Sequence, residues 1–162
     1  MPSPAFHVPD SVEDVVALLA ADPTARPLGG GTDLIVQMRS GRLVPGSVVD
    51  FKRIAGMTGV RHEGDAFVIG AATPCTALKA DAALAAAWPG VVEAANLIGS
   101  VQVRNRATMA GNLCNASPAA DSVPALVAAG ATCVVAGPSG KREVLVQDIP
   151  VAPGKTSLAP GE

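Results

Sequence analysis

Two stretches of this chain carry residue types that could do chemistry. The first is Gly29-Gly30-Gly31-Thr32-Asp33. Glycines lack Cβ, so successive backbone N–H groups can converge on an anion, and a helix placed just after them adds its positive end. A pyrophosphate would fit such a loop, and a tight turn between strand and helix would call for the same residues. The run is not the dinucleotide-binding fingerprint, because Gly29-x-Gly31 would require glycine where Leu34 stands, and the strand before it is weak. Nor is it a P-loop, since no Gly-Lys-Ser/Thr follows. The second stretch is Thr108-Met109-Ala110-Gly111-Asn112, followed by Ser117-Pro118 and Asp121. It gathers hydroxyl, amide and carboxylate groups around a small-residue turn where a ligand could approach the backbone. Read alone, it is also what an irregular surface loop looks like.

Other reactive types are scattered. His7 and His62 stand apart from any ligand pattern, and the three cysteines, Cys75, Cys114 and Cys133, include no C-x-x-C pair. Neither a disulfide framework nor a zinc or iron–sulfur site is indicated, and the cysteines read as small buried hydrophobes. Arg104 and Arg106 could orient the second stretch or face a partner, with solvated surface the simpler reading.

The elements that must position these stretches follow from residue pattern. Asp10 and Glu13 have capping-box spacing around Val12, Val15, Val16 and Leu19, which predicts a helix over 11–21. Pro23 and Pro27 bracket the approach to the glycines, and Leu34, Ile35 and Met38 predict a second helix stopped by Gly41. Residues 48–51 read as a strand, completing a small α/β lobe over 1–55. In the second lobe, 56–162, a strand is expected over 67–70, and Thr73-Pro74 starts a helix running to 80. The alanine-rich stretch 82–98 is helical, whereas 99–120 lacks periodicity and has the length of a functional loop. Asp121 would cap a short helix ending at Gly130, and 132–136 pairs with 142–146 around Gly137-Pro138-Ser139-Gly140.

Composition narrows the class of partner. The 162 residues are 49% hydrophobic, enough for a packed core, and the net charge is only -2 with scattered basic residues. That excludes a nucleic-acid or anionic-membrane footprint. The most apolar region, 123–135, is broken by Pro124, Gly130 and Thr132 and is shorter than the roughly 20 residues a bilayer span takes. The start, Met1-Pro2-Ser3-Pro4-Ala5-Phe6, has neither a basic head nor an apolar run, which predicts a cytoplasmic protein without a secretory signal.

Taken together, the two stretches resemble the FAD-binding domain of the flavoprotein (medium) subunits of molybdenum hydroxylases, the xanthine dehydrogenase, carbon monoxide dehydrogenase and aldehyde oxidoreductase group. The resemblance also rests on Phe6-His7-Val8-Pro9, Ile69-Gly70-Ala71 and Gly154-Lys155-Thr156. It implies an α+β fold of the p-cresol methylhydroxylase and vanillyl-alcohol oxidase type: a small α/β lobe, then a mixed or antiparallel sheet lobe with helices. It implies noncovalent FAD, held first by Pro27, Leu28, Gly29, Gly30, Gly31, Thr32, Asp33 and Leu34 around the pyrophosphate. The family's second loop, threonine-isoleucine-glycine-glycine-asparagine, falls on Thr108, Met109, Ala110, Gly111 and Asn112, where Met109 and Ala110 depart from it. Asp121 would meet a sugar or ribityl hydroxyl, Ile98 the adenine end, and Lys155-Thr156 would sit in a loop.

By the same resemblance, no residue here is catalytic and none binds metal. Molybdopterin and [2Fe–2S] clusters belong to separate partner subunits, and the flavin passes electrons to NAD, a quinone or oxygen. A stand-alone flavin oxidase of the same fold and a scaffold that has lost FAD are the rival readings. The family continues past the segment resembling 154–162, with a further strand and a C-terminal domain. The chain is therefore expected to be a fragment, or to need another polypeptide, and to bind FAD weakly by itself.

Overall fold

Val48 and Val49 are buried, Val49 completely, and the N-terminal elements arrange themselves around them. The structure, a computed structural model, describes residues 3–162; Met1 and Pro2, read above for the lack of a leader, lie outside the described residues. Strand β1 (Ala5–His7) leads to helix α1 (Val12–Ala21), strand β2 (Arg26–Leu28), helix α2 (Leu34–Arg39) and strand β3 (Ser47–Asp50). The sheet order is β1-β3-β2 and both pairings are parallel. Three-residue strands leave no alternation to read, so β1 was not expected from the sequence and β2 registered only as a weak strand ahead of the glycines. Pro27 sits inside β2, which is tolerated because β2 is an edge strand and needs no N–H there. The α1 cap is displaced by one residue from the expected Asp10 and Glu13: Ser11 Oγ accepts from Asp14 N at 3.1 Å and its hydroxyl donates to Asp14 Oδ2 at 2.6 Å.

The second part is built of antiparallel ribbons and short helices. Strands β4 (Val60–Glu63) and β5 (Ala66–Ile69) pair as a hairpin, of which only the second strand was expected. Helices α3 (Cys75–Ala80), α4 (Ala82–Ala87) and α5 (Pro89–Leu97) follow. Pro74 caps α3 from the extended region and Pro89 opens α5, so the single helix expected over 82–98 is split at Trp88. The presumed loop over 99–120 holds α6 (Val101–Arg104) and α7 (Met109–Cys114), each capped by a hydroxyl: Ser100 Oγ takes Val103 N and Thr108 Oγ1 takes Gly111 N. Helices this short show no period, and only the Ser and Thr caps could have announced them. Helix α8 (Val123–Ala128), the hairpin β6 (Thr132–Gly137) and β7 (Gly140–Leu145), and a small ribbon β8 (Pro150–Ala152) and β9 (Lys155–Thr156) complete the chain. Lys155 and Thr156 thus pair with β8, where a loop was expected.

Two apolar clusters sit behind these elements. One joins Cys75, Leu78, Leu84, Val92, Ala95, Ile98 and Met109; the other joins Leu113, Val146 and Ile149. Cys75 is fully buried, and that burial pushes its thiol up to about 11. Cys133 is half-buried and Cys114 is exposed, so the expectation of three buried cysteines fails at Cys114. No helix among the described residues is long and apolar enough to cross a membrane.

The end of the chain is clamped to β7. Arg142 Nε and NH2 each donate to a Glu162 carboxylate oxygen at 2.7 Å, and Ala159 N donates to Oε2 at 2.8 Å. These bonds, Arg142's first among them, hold the Glu162 carboxyl at about 2 instead of 4.5. A depressed carboxyl contributes stability above its unfolded value and loses it as pH falls through its folded one. Melting temperatures of wild type and Glu162→Gln should therefore differ by about 2 °C at neutral pH. That difference should shrink as pH falls below 4.5 toward 2.

Candidate functional site

The glycine loop leaves the sheet at the carboxyl end of β2, where Leu28 lies opposite Asp50 of β3. Open parallel sheets place ligands at this end of their strands. Beyond Leu28 the chain turns through Gly31, whose φ of +78° suits glycine, and Ile35 N returns to Gly31 O at 3.0 Å. Helix α2 then begins at Leu34 with Asp33 as an N-cap that makes no side-chain bond. Among the described residues, the backbone N–H groups of Gly30, Gly31, Thr32 and Asp33 donate to no protein acceptor. Successive N–H groups without internal partners are what an anion-binding concavity offers. With only six residues in α2, these amides matter more to the loop than the helix dipole does.

Position 30 has a steric reason to be glycine that differs from the one expected. A Cβ there would lie 2.1 Å from the Arg106 carbonyl oxygen and 3.0 Å from Ala107 Cα. Gly30 is thus required by the close approach of the 106–107 backbone, whether or not phosphate is bound. Position 29 is different: a Cβ would meet Phe51 Cζ and Thr108 Oγ1 at an ordinary 3.5 Å. At position 31 a Cβ would strike Leu28 Cδ1 at 2.8 Å. The half-buried Leu28 and Leu34, the half-buried Thr32, and the exposed Pro27 and Asp33 line the rest of the turn.

The fold brings the second stretch directly against the first. Cys75 N donates to Ala107 O at 2.9 Å, and Pro74 and Thr108 form an isolated antiparallel bridge. Thr108 is 3% exposed, and its hydroxyl, which caps Gly111 N at 2.9 Å, still has its proton to donate toward the glycine loop. Met109 belongs to the core and presents backbone only; Ala110 is half-buried and Gly111 exposed. Gln37 Nε2 of α2 donates to Asn115 Oδ1 at 3.1 Å, a second tie between the two stretches.

Asn112 and Asp121 are also brought together. Asn112 Oδ1 accepts from Ser122 Oγ at 2.7 Å and from Ser122 N at 3.3 Å. The amide therefore fixes the turn on which Asp121 stands. Asp121 does not cap α8: that place is taken by Ser122, with no side-chain cap bond. The Asp121 carboxylate is exposed and accepts no hydrogen bond among the described residues, so it stands available to a ligand. Ile98, at the end of α5, is a buried core residue, and Arg104 is not idle surface: its NH1 donates to Ile98 O at 3.3 Å and Gly99 O at 2.6 Å.

One residue of the site was not singled out from the sequence. Lys52 Nζ lies 2.7 Å from Asp50 Oδ1 and donates to Gly29 O at 3.3 Å, beneath the glycine loop. Burial alone would raise the Asp50 carboxyl, but hydrogen bonds from Lys52 and the Lys52 and Arg106 charges outweigh it and hold it low. The signal was Asp50-x-Lys52 at a strand end. Away from the loops, His62 lies 3.6 Å from Asp81 and edge-on to Phe67, and no cluster that could hold a metal occurs among the described residues. Concavities of about 230 and 200 Å³ lie elsewhere, beside Pro138 and Glu162 and beside Trp88 and Ala125.

Over residues 3–162 the chain matches the family described as FAD binding domain in molybdopterin dehydrogenase. It is 37% identical to the carbon monoxide dehydrogenase medium chain of Afipia carboxidovorans over 158 residues, covering 97% of this chain and 55% of that one. It is 33% identical to the xanthine dehydrogenase FAD-binding subunit of Escherichia coli O157:H7, covering 94% of this chain and 53% of that one. The crystal structure of the cyanide-inactivated Cu,Mo-CO dehydrogenase superimposes with a TM-score of 0.94 at 37% identity, covering 99% of this chain and 56% of that one. The chain thus spans about half the length of the curated relatives it matches.

The contrast between neighbouring glycines gives a test that needs no ligand. Gly30→Ala should destabilise the ligand-free protein by about 1–3 kcal/mol, the usual cost of overpacking against a fixed backbone. Gly29→Ala should stay within about 0.5 kcal/mol of wild type. Urea unfolding of the two variants checks both, and equal stabilities would show that the 106–107 backbone is not what excludes a side chain at position 30.

Proposed function

Because the chain belongs to the FAD-binding domain family of molybdopterin dehydrogenases, we propose that its glycine loop holds the pyrophosphate of a noncovalent FAD. We propose also that the protein carrying this domain is the flavoprotein subunit of a molybdenum hydroxylase. The observation that carries the reading is the set of free backbone N–H groups from Gly30 to Asp33, in a loop whose Gly30 packs on the 106–107 backbone. The donors fit a phosphate oxygen surface.

Bound FAD supplies the redox chemistry, since a flavin can take electrons singly and give them as a pair. The chain's own residues bind and orient, and none need act as acid, base or nucleophile. The amides of residues 30–33 and the Thr32 and Thr108 hydroxyls hydrogen-bond to the pyrophosphate and fix it. Asp121, held on its turn by Asn112, accepts from a ribityl or sugar hydroxyl. Ile98, braced through its carbonyl by Arg104, supports the adenine end, and Met109 sets the height of the loop from within the core. Residues 1–55 and 56–162 act as two lobes whose seam runs from Gly30 and Arg106 to Gln37 and Asn115.

In the whole protein, electrons would arrive from [2Fe–2S] clusters on one partner subunit, fed by a molybdopterin subunit, and leave for NAD, a quinone or oxygen. The relatives named as a medium chain and as an FAD-binding subunit support that division of labour. The reading is tested by purifying the full-length protein and titrating FAD with fluorescence and visible absorption as readouts. Wild type should carry flavin, and a protein that takes up none overturns the assignment. Asp121→Asn should loosen FAD several-fold, since a charged acceptor exceeds a neutral one by about 1 kcal/mol. The ligand-free melting temperature should not move, because Asp121 caps nothing; unchanged FAD affinity would remove Asp121 from the site.

A further inference from the structure

Resting on the FAD reading above, we propose that Lys52 is the positioning residue of the glycine loop, setting the Gly29–Gly30 peptide so that it binds a diphosphate. Lys52 Nζ donates to Gly29 O at 3.3 Å. No peptide among the described residues is cis, and in a trans peptide the C=O and the following N–H point to opposite sides of the plane. Holding the Gly29 oxygen toward Lys52 therefore aims the Gly30 N–H away from it, and this N–H has no protein acceptor among the described residues. A cation on the carbonyl also polarises the peptide and strengthens its N–H as a donor. The same bond thus sets both the direction and the strength of the first free amide of the loop.

Lys52 is itself held in place. Asp50 Oδ1 accepts Lys52 N at 3.0 Å and lies 2.7 Å from Lys52 Nζ, closing a ring at the end of β3. The lysine side chain is 26% exposed and that of Asp50 16%, so most of the pair is shielded from solvent. The Lys52 ammonium and the Asp50 carboxylate thus form a closed pair beneath the Gly29 carbonyl. The sequence places this lysine two residues past the strand whose carboxyl end faces Leu28, as the geometry requires. Lys52 need not touch the cofactor: it acts through Gly29.

The test compares FAD with riboflavin, which lacks phosphate, on the full-length protein. Lys52→Met should weaken FAD about tenfold, the scale of a hydrogen bond to a charged group. It should leave riboflavin affinity within error of wild type and lower the ligand-free melting temperature only slightly, through loss of the Asp50 pair, and Lys52→Arg should restore FAD affinity to within about threefold. A merely structural lysine would instead affect both flavins alike. If Lys52→Met does not fold, Asp50→Asn serves: it keeps the lysine but unties it, and should weaken FAD about threefold with riboflavin unchanged. FAD affinity equal to wild type, or an equal loss for riboflavin, overturns the inference while leaving the FAD reading intact. A wild-type protein that binds neither flavin overturns both.

Discussion

A side chain at Gly30 would run into the carbonyl oxygen of Arg106 at 2.1 Å, and this backbone-on-backbone approach organises the site. For the approach to occur, β2 must deliver the loop at the sheet edge beside Asp50, and the 106–108 segment must be held against it. The second segment is held there by Cys75 N on Ala107 O and by the bridge between Pro74 and Thr108. Cys75 is in turn locked into the core with Leu78, Met109 and Ile98. A core cluster thus transmits its rigidity to a glycine loop that has no side chains with which to hold itself.

That arrangement divides the labour within each motif. In the second segment the recognisable side chains are largely occupied internally: Thr108 accepts from Gly111 N, Asn112 from Ser122, and Met109 fills the core. In the first segment the recognisable feature is a lack of side chains, and the backbone remains free to bind. Motif residues of this kind shape a surface whose donors are mostly amides. A substitution at Asn112 would accordingly act first on the turn bearing Asp121, and only through it on a ligand.

Much of this was legible in the sequence because it was written in residues with few alternatives. Gly29-Gly30-Gly31 and Thr108-Met109-Ala110-Gly111-Asn112 marked the two halves of the site, and the fold class followed from their resemblance to a known family. Gly41, at φ +71°, does end the second helix as expected. What was not legible was set by tertiary contact. Strands β1 and β2 are too short to carry a period, and Pro27 argues against a strand until the edge position is known. The break at Trp88 and Pro89 was visible in principle, but alanine propensity outweighed it. Asp121 looked like a cap and is not one, while Ser122 holds the cap position and satisfies its hydroxyl with Asn112. Nothing local to 99–120 shows that its two short helices fold against a loop some seventy residues earlier.

The charge layout shows how a nearly neutral chain can suit a doubly charged ligand. A pyrophosphate is often met by several arginines or lysines, yet the formal net charge here is -2 and no basic stripe exists. Backbone amides carry only partial charges, but they are fixed and need no ordering on binding. Asp50 offsets part of the Lys52 and Arg106 charge and holds the ammonium on the Gly29 carbonyl. A freely mobile lysine would interact with any passing anion. A lysine tied to a carbonyl acts mainly through the peptide it polarises, and so favours a ligand whose oxygens meet that amide and its neighbours together. Selectivity of this kind depends on the loop keeping its shape, which returns the requirement to Gly30 and the Arg106 carbonyl.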